Sequence, residues 1–259
     1  MSDKGMIVQV VGGHSSAGPG FLGTSFMIDG QLLIDAGSVA SGLNIEEQVK
    51  IEWILISHAH LDHTKDIAFL ADNCFAVRKK PFQIYTNRTV ELALKAHLFN
   101  NIIWPDFTQI PSLKKPILKF NEIPIGKKFS LGPYSIWAVP VGHPGDSMGF
   151  IVEKGPTALL FTQDTGPTEK IWQIAKKNKK IKAIFTEVSF PKSMELIAKK
   201  SFHHTPKTLL NEIKKMPGHV PIYISHLKPL FQKILLKEIE ELGQKRIRPL
   251  QTENSTLVF

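Results

Sequence analysis

The chain has 259 residues, 42% hydrophobic and 21% charged, with 32 Lys and Arg against 23 Asp and Glu for a formal charge of +9. Such a composition can bury a large core and fits a compact enzyme, while the single cysteine, Cys74, excludes an internal disulfide. No apolar stretch approaches the length of a membrane span, and the start MSDKGMIVQV carries charge and lacks a small-residue cleavage site. A cytoplasmic protein with no membrane partner is therefore expected, with Cys74 as a buried, inert thiol. Without a Ser/Gly/Pro-rich linker, low-complexity tract or internal repeat, residues 1–259 read as one domain.

In chain order, short strands are expected over residues 7–11, 25–28, 31–34, 53–56 and 83–85, followed by a helix over 89–98. Strands over 134–139, 149–152 and 158–161 come next, then a helix over 169–177 and a strand over 183–186. The remainder reads as a helix over 206–215, a strand over 222–224 and a helix over 229–242. Thr205 ahead of Pro206 makes a sound helix start, a capping oxygen before a proline in the first turn. Strands first and strands mixed with helices later suit two sheets packed face to face with helices outside. The stretch GGHSSAGPG (12–20) has neither GxGxxG nor P-loop spacing, so it reads as a mobile turn beside a functional site, with His14 exposed and not a ligand.

Chemistry concentrates in SHAHLDH (57–63), directly after the apolar run 51–56. Imidazole nitrogens and carboxylate oxygens are donors that suit zinc, manganese or iron, and three histidines so close together at a strand end have no other evident use. Residues two apart share a face, so His58 and His60 point one way, while a turn into a helix swings Asp62 and His63 to a second position. One segment could seat two cations, but it cannot complete both coordination spheres. Other apolar runs also end in a candidate ligand: VPVGH at His143, ALLFTQD at Asp164 and VPIYISH at His226.

This order resembles the metallo-β-lactamase superfamily, with its HxHxDH loop, later lone His, bridging Asp and final His. The resemblance implies an αββα sandwich, a four-layer α/β (α+β) fold, with the metals at one edge between the sheets. It further implies one metal on His58, His60 and His143, a second on Asp62, His63 and His226, and Asp164 bridging them. The ions would be two divalent metals, zinc first, with manganese or iron as alternatives. Asp35, ending LLIDAG, matches the superfamily's upstream Asp and would hold the metal loop by hydrogen bonds; a turn residue before Gly37 is its plainer reading.

The nearer resemblance is to the class II cyclic-nucleotide phosphodiesterases, carried by HAHLDH, NNIIWPDFT (100–108), DTGPT (164–168), EVSFP (187–191), SFHHTP (201–206) and SHLKP (225–229). Lys65, Asp66, Gln163 before Asp164, and Phe202 depart from that family's pattern. The resemblance implies hydrolysis of a small-molecule cyclic nucleotide, cAMP or cGMP, to the 5′-monophosphate. With two metals in place the expected nucleophile is a hydroxide bridging them, attacking phosphorus in line. Asp62 would orient it. His203, in the SxHxTP stretch and just ahead of a helix start, is the candidate proton donor to the leaving oxygen and a substrate contact. His204 reads as a packed or exposed side chain, and Glu187 as a buried, hydrogen-bonded carboxylate. Asn101, Trp104 and Phe107 could form a lid with an aromatic face for the base, or the two aromatics could anchor a loop in the core.

Other readings stay open. The positive charge would favour anionic substrates, and related sandwich enzymes process RNA 3′ ends. The lysines at 176–182 and 192–200 sit among helical positions without interleaved aromatics, so a solvated face is favoured and nucleic acid is the disfavoured partner. Ester or lactone hydrolysis is a further option. A non-catalytic nucleotide sensor is argued against by the intact set of candidate ligands. Helical stripes such as Leu235, Leu236 and Ile239 read as core, and whether a homodimer forms is left open.

Overall fold

Apolar residues on successive positions, not only alternate ones, mark strands that must be covered on both faces. In Thr157–Phe161 every residue is buried, and Leu159 and Phe161 face one layer while Ala158 and Leu160 face another. The computed structural model describes residues 5–250 and 255–259. The first four residues of the charged start lie outside the described residues, as do 251–254.

Two seven-stranded sheets result. Across the first run Ser255–Val258, Ile7–Gly12, Ser25–Ile28, Leu32–Ile34, Trp53–Leu55, Phe82–Thr86 and Leu118–Glu122. The second runs Ile247–Pro249, Ile222–Ser225, Ile181–Glu187, Thr157–Phe161, Met148–Lys154, Tyr134–Pro140 and Lys128–Leu131. Each has an antiparallel part and a parallel part, the parallel pairing starting at Leu32–Ile34 with Trp53–Leu55 and at Thr157–Phe161 with Ile181–Glu187. Parallel strands end together, and the loops leaving their carboxyl ends gather in one place.

Three apolar clusters make four layers. Between the sheets Phe26, Ile34 and Leu55 meet Phe150, Phe161 and Phe185. Outside the first sheet, Ile54 and Ile84 pack on Ile67, Leu70 and Leu94, from the helices Asp66–Cys74 and Arg88–His97. Outside the second, Leu160 and Ile184 pack on Trp172, Leu209 and Leu235, from Lys170–Lys177, Pro206–Ile213 and Gln232–Glu240. This is the αββα sandwich expected. Cys74 is fully buried, and burial pushes its thiol above the ordinary range. Among the described residues no helix is long and apolar enough to cross a membrane.

All the strands expected from sequence are present, with ends shifted by a residue or two. Leu118–Glu122, Lys128–Leu131, Ile247–Pro249 and Ser255–Val258 are additional; each lies at a sheet edge, and their exposed positions break the apolar runs that mark central strands. Asp66–Cys74 is an additional helix, buried at six of its positions, so it shows no clean polar stripe. The helix expected over 229–242 divides into a 3₁₀ turn, Pro229–Phe231, and the helix Gln232–Glu240. Thr205 caps Pro206–Ile213 as expected, accepting from the Thr208 amide. The lysines at 179–182 are not helical: the helix ends at Lys177, and buried Ile181 opens a strand.

The Phe161 ring stacks on Phe185 at 4.5 Å and meets Phe26 at 5.3 Å in the central layer. Phe161→Ala should cost about 3–5 kcal/mol of stability, read from the urea midpoint at unchanged slope.

Candidate metal centre

The strand Trp53–Leu55 runs out into extended chain and then into the short helix Leu61–Thr64, with His60 as its N-cap. That turn puts Asp62 and His63 on a different bearing from His58 and His60. Backbone bonds lock it, since the Ala36 amide donates to the His63 carbonyl at 2.7 Å and the Asp66 amide to the Ala36 carbonyl at 3.0 Å. Gly37 lies so close that a Cβ there would run into the Asp62 carbonyl.

Asp35 lies fully buried under this loop. Its Oδ1 accepts from the Ser57 amide at 2.8 Å, and its Oδ2 from Ser57 Oγ at 2.8 Å and His63 Nδ1 at 2.6 Å. Gln163 donates its side-chain amide to the same Oδ2, joining the second sheet to the first. The role expected of Asp35 as a support thus has a concrete geometry, whereas Gln163 and Ser57 carried no sequence signal of one.

The other histidines are oriented in the same way. Ser57 Oγ donates to Asp35 and so accepts from His58 Nδ1 at 2.9 Å. Ser189 Oγ donates to Glu187 Oε2 at 2.7 Å and accepts from His226 Nδ1 at 2.9 Å. His143 Nδ1 donates to the Phe202 carbonyl at 3.0 Å. Each Nδ1 proton is thereby held outward, which leaves Nε2 with its lone pair facing in. His60 is reversed: its Nδ1 faces His143 Nε2 at 3.3 Å.

The donors converge on Asp164. Its Oδ2 lies 3.6 Å from His58 Nε2 and 4.0 Å from His143 Nε2, while its Oδ1 lies 3.2 Å from His63 Nε2 and 3.1 Å from His226 Nε2. His226 Nε2 also lies 3.2 Å from Asp62 Oδ2 and 3.3 Å from His63 Nε2. The expected donors form two groups, His58, His60, His143 and Asp164, and Asp62, His63 and His226, and a third, Asp164, His203 and His226, overlaps them; in each the donor atoms lie within 4.8 Å of one another.

These residues fit a divalent cation. A tetrahedral ion with bonds of about 2.0–2.1 Å spaces its ligands about 3.3 Å apart, which matches the nitrogen pairs at 3.3 Å. His58 Nε2 and Asp164 Oδ1 are buried without a hydrogen bond, a cost that coordination would offset. Burial, with the charge of His63, holds His58 well below the ordinary histidine range. Burial also opposes charge on His63, but Asp164 and Asp35 overcome it and raise its pKa well above that range. Burial would raise Asp164; electrostatic interaction with the His226 and His63 rings prevails and lowers it well below the carboxylate range. A cation and the His63 proton compete for one nitrogen, so binding would release protons.

His203 stands beside both groups, its ring 4.9 Å from His143 and 5.4 Å from His226, with Nδ1 3.0 Å from Glu187 Oε1. His204 is fully buried behind it, its Nδ1 on Thr208 Oγ1. Glu187 is the buried, hydrogen-bonded carboxylate expected. Ser189 carries no sequence signal of its role, which depends on the approach of His226 from another strand end. Asn101 and Trp104 stand on a separate loop: the Asn101 amide donates to the Trp104 carbonyl, and the Trp104 ring packs on Phe69 at 5.3 Å. Phe107 anchors that loop in the core. His14 is a correction, being 3% exposed and not on the surface. Its ring meets Phe21 edge-on, and bridges to Gly23 and Leu227 pull the glycine-rich segment inward.

The family follows from comparison. The beta-lactamase superfamily domain matches residues 31–226, and the chain belongs to that superfamily. It is 27% identical over 222 residues to a probable 3′,5′-cyclic-nucleotide phosphodiesterase of Yersinia pestis, a match covering 74% of this chain and 63% of that relative. The chain thus spans less than two thirds of that protein. It is 26% identical over 294 aligned positions to the 3′,5′-cyclic-nucleotide phosphodiesterase of Aliivibrio fischeri, covering 89% and 87%. In fold it is similar to unliganded yeast PDE1, with a TM-score of 0.82 at 17% identity over 99% of this chain and 100% of that one.

Removing the Asp35 carboxylate would strand the Ser57 amide and the His63 imidazole in the interior. Asp35→Ala is expected to cost about 3–5 kcal/mol in urea unfolding with chelator present; a loss under about 1 kcal/mol would show that the loop is held by other contacts.

Proposed function

We propose that this chain is a single hydrolase domain that binds two divalent metals, zinc first, and cleaves 3′,5′-cyclic nucleotides to 5′-monophosphates. The observation that carries the reading is the convergence of two donor groups on the two oxygens of Asp164. The relatives named as cyclic-nucleotide phosphodiesterases supply the substrate class. His58, His60 and His143 would hold one ion, Asp62, His63 and His226 the other, with Asp164 shared. Cations bound there would acidify a water and offset negative charge on the phosphorus oxygens.

The protein's own groups do the rest. Asp62, partly exposed and 3.2 Å from His226, can accept a hydrogen bond from the attacking water and so orient it. His203 donates to the departing 3′ oxygen. Burial opposes a proton on its ring, but the Glu187 carboxylate prevails and raises its pKa above the ordinary range, which favours the protonated donor. Holding Nδ1 on Glu187 leaves Nε2 to make the transfer.

A long polyanion such as RNA is the weaker reading. A lysine-rich groove of about 1010 Å³ includes Arg78, Lys79, Lys80, Lys114, Lys115 and Lys119. It opens at the amino ends of the strands Phe82–Thr86 and Leu118–Glu122, opposite the carboxyl ends from which the His58–His63 loop departs. It does not feed this site.

Metal-analysed protein should release 5′-monophosphate from cAMP or cGMP, and Asp164→Ala should lower both turnover and metal content, turnover by more than the roughly 100-fold that loss of an outer support costs. Undiminished turnover in that variant would overturn the assignment. His203→Ala should lower kcat by about 10²–10⁴ at unchanged metal content. The loss should shrink for a nitrophenyl phosphodiester, whose leaving group needs no proton.

A further inference from the structure

Beside His203 lies a second recess, about 480 Å³, walled by Gly142, Pro167 and Phe202, with Glu195 and Lys199 also lining it. Its size suits a small-molecule subsite, and its lining is mainly apolar. Phe202 dominates it. The residue is 49% exposed and its ring makes no ring contact among the described residues, whereas the Trp104 ring is already packed on Phe69. The Phe202 backbone, at φ 56°, occupies a region that phenylalanine rarely adopts. It is pinned there because its carbonyl accepts from His143 Nδ1 and its amide donates to the Lys199 carbonyl. A bare aromatic face is therefore held at fixed distance from the His143 group and next to the proton donor.

We infer that Phe202 seats the purine base of the nucleotide, stacked in the recess with Pro167 and Gly142. The inference rests on the cyclic-nucleotide reading above and deepens it. A flat ring recognises a base through its π face, which adenine and guanine share. The polar residues that line it are largely engaged elsewhere: Glu195 is paired with Lys207 at 2.9 Å, Thr208 Oγ1 accepts from the Thr205 amide, and His203 Nδ1 is held by Glu187. Recognition there is by stacking, so AMP and GMP should bind with similar affinity.

The test titrates metal-loaded protein with 5′-AMP, 5′-GMP and ribose 5-phosphate, the last carrying the phosphate and sugar without a base. Phe202→Leu should weaken AMP and GMP about 5- to 150-fold, the span of one lost base stack, and leave ribose 5-phosphate unchanged; Phe202→Tyr should restore nucleotide binding. Equal losses for all three ligands would mean that the residue acts only through His143, and would overturn the subsite. So would unaltered AMP binding in Phe202→Leu, or weakened AMP binding in Trp104→Leu alone. Wild-type protein that binds neither nucleotide nor ribose 5-phosphate would overturn the cyclic-nucleotide reading itself, and the subsite with it.

Discussion

The buried carboxylate of Asp35 is the constraint from which the site's geometry follows. Charge without water is costly, so the group persists only because the Ser57 amide and hydroxyl, the His63 imidazole and the Gln163 amide all donate to it. Those bonds fix the exit of the loop from its strand, the orientation of one histidine directly and of His58 through Ser57. Because Gln163 lies just beyond the strand Thr157–Phe161 of the other sheet and immediately precedes Asp164, the same carboxylate sets how the two halves of the donor cluster meet.

The backbone around the cluster is unrelaxed at several points. Asp35, Gln163, Phe202 and His226 all have positive φ without being glycine. Each such residue costs on the order of 1–3 kcal/mol, and such a cost persists only where surrounding contacts over-determine the conformation. Here they do. Asp35 and Gln163 share a hydrogen bond, Phe202 is held by His143, and the His226 amide donates to the Gly13 carbonyl.

Much of the fold was legible because central strands of a doubly covered sheet must be apolar on both faces, as in Thr157–Phe161 and Met148–Lys154. Edge strands such as Lys128–Leu131 were not, since half their positions meet water and their pairing is set by the neighbouring strand. The glycine-rich segment misled for a related reason. Its composition speaks for a turn, but Gly13 and His14 are drawn in by Leu227 and His226, more than two hundred positions along the chain.

The candidate site divides in the same way. The sequence by itself determined which donors exist and that they follow strand ends, because ligand type and the two-residue period are local properties of SHAHLDH. Only the tertiary structure decided that His60 meets His143 at 3.3 Å across 83 positions, and His226 meets Asp62 at 3.2 Å across 164. It alone decided that Ser189 and Gln163 serve the cluster and that Phe202 stands bare beside it. A serine, a glutamine or a phenylalanine carries no intrinsic signature of such a role. Its meaning comes from the atoms brought within hydrogen-bonding or stacking range, and the packing of two sheets settles that, not the neighbouring residues in the chain.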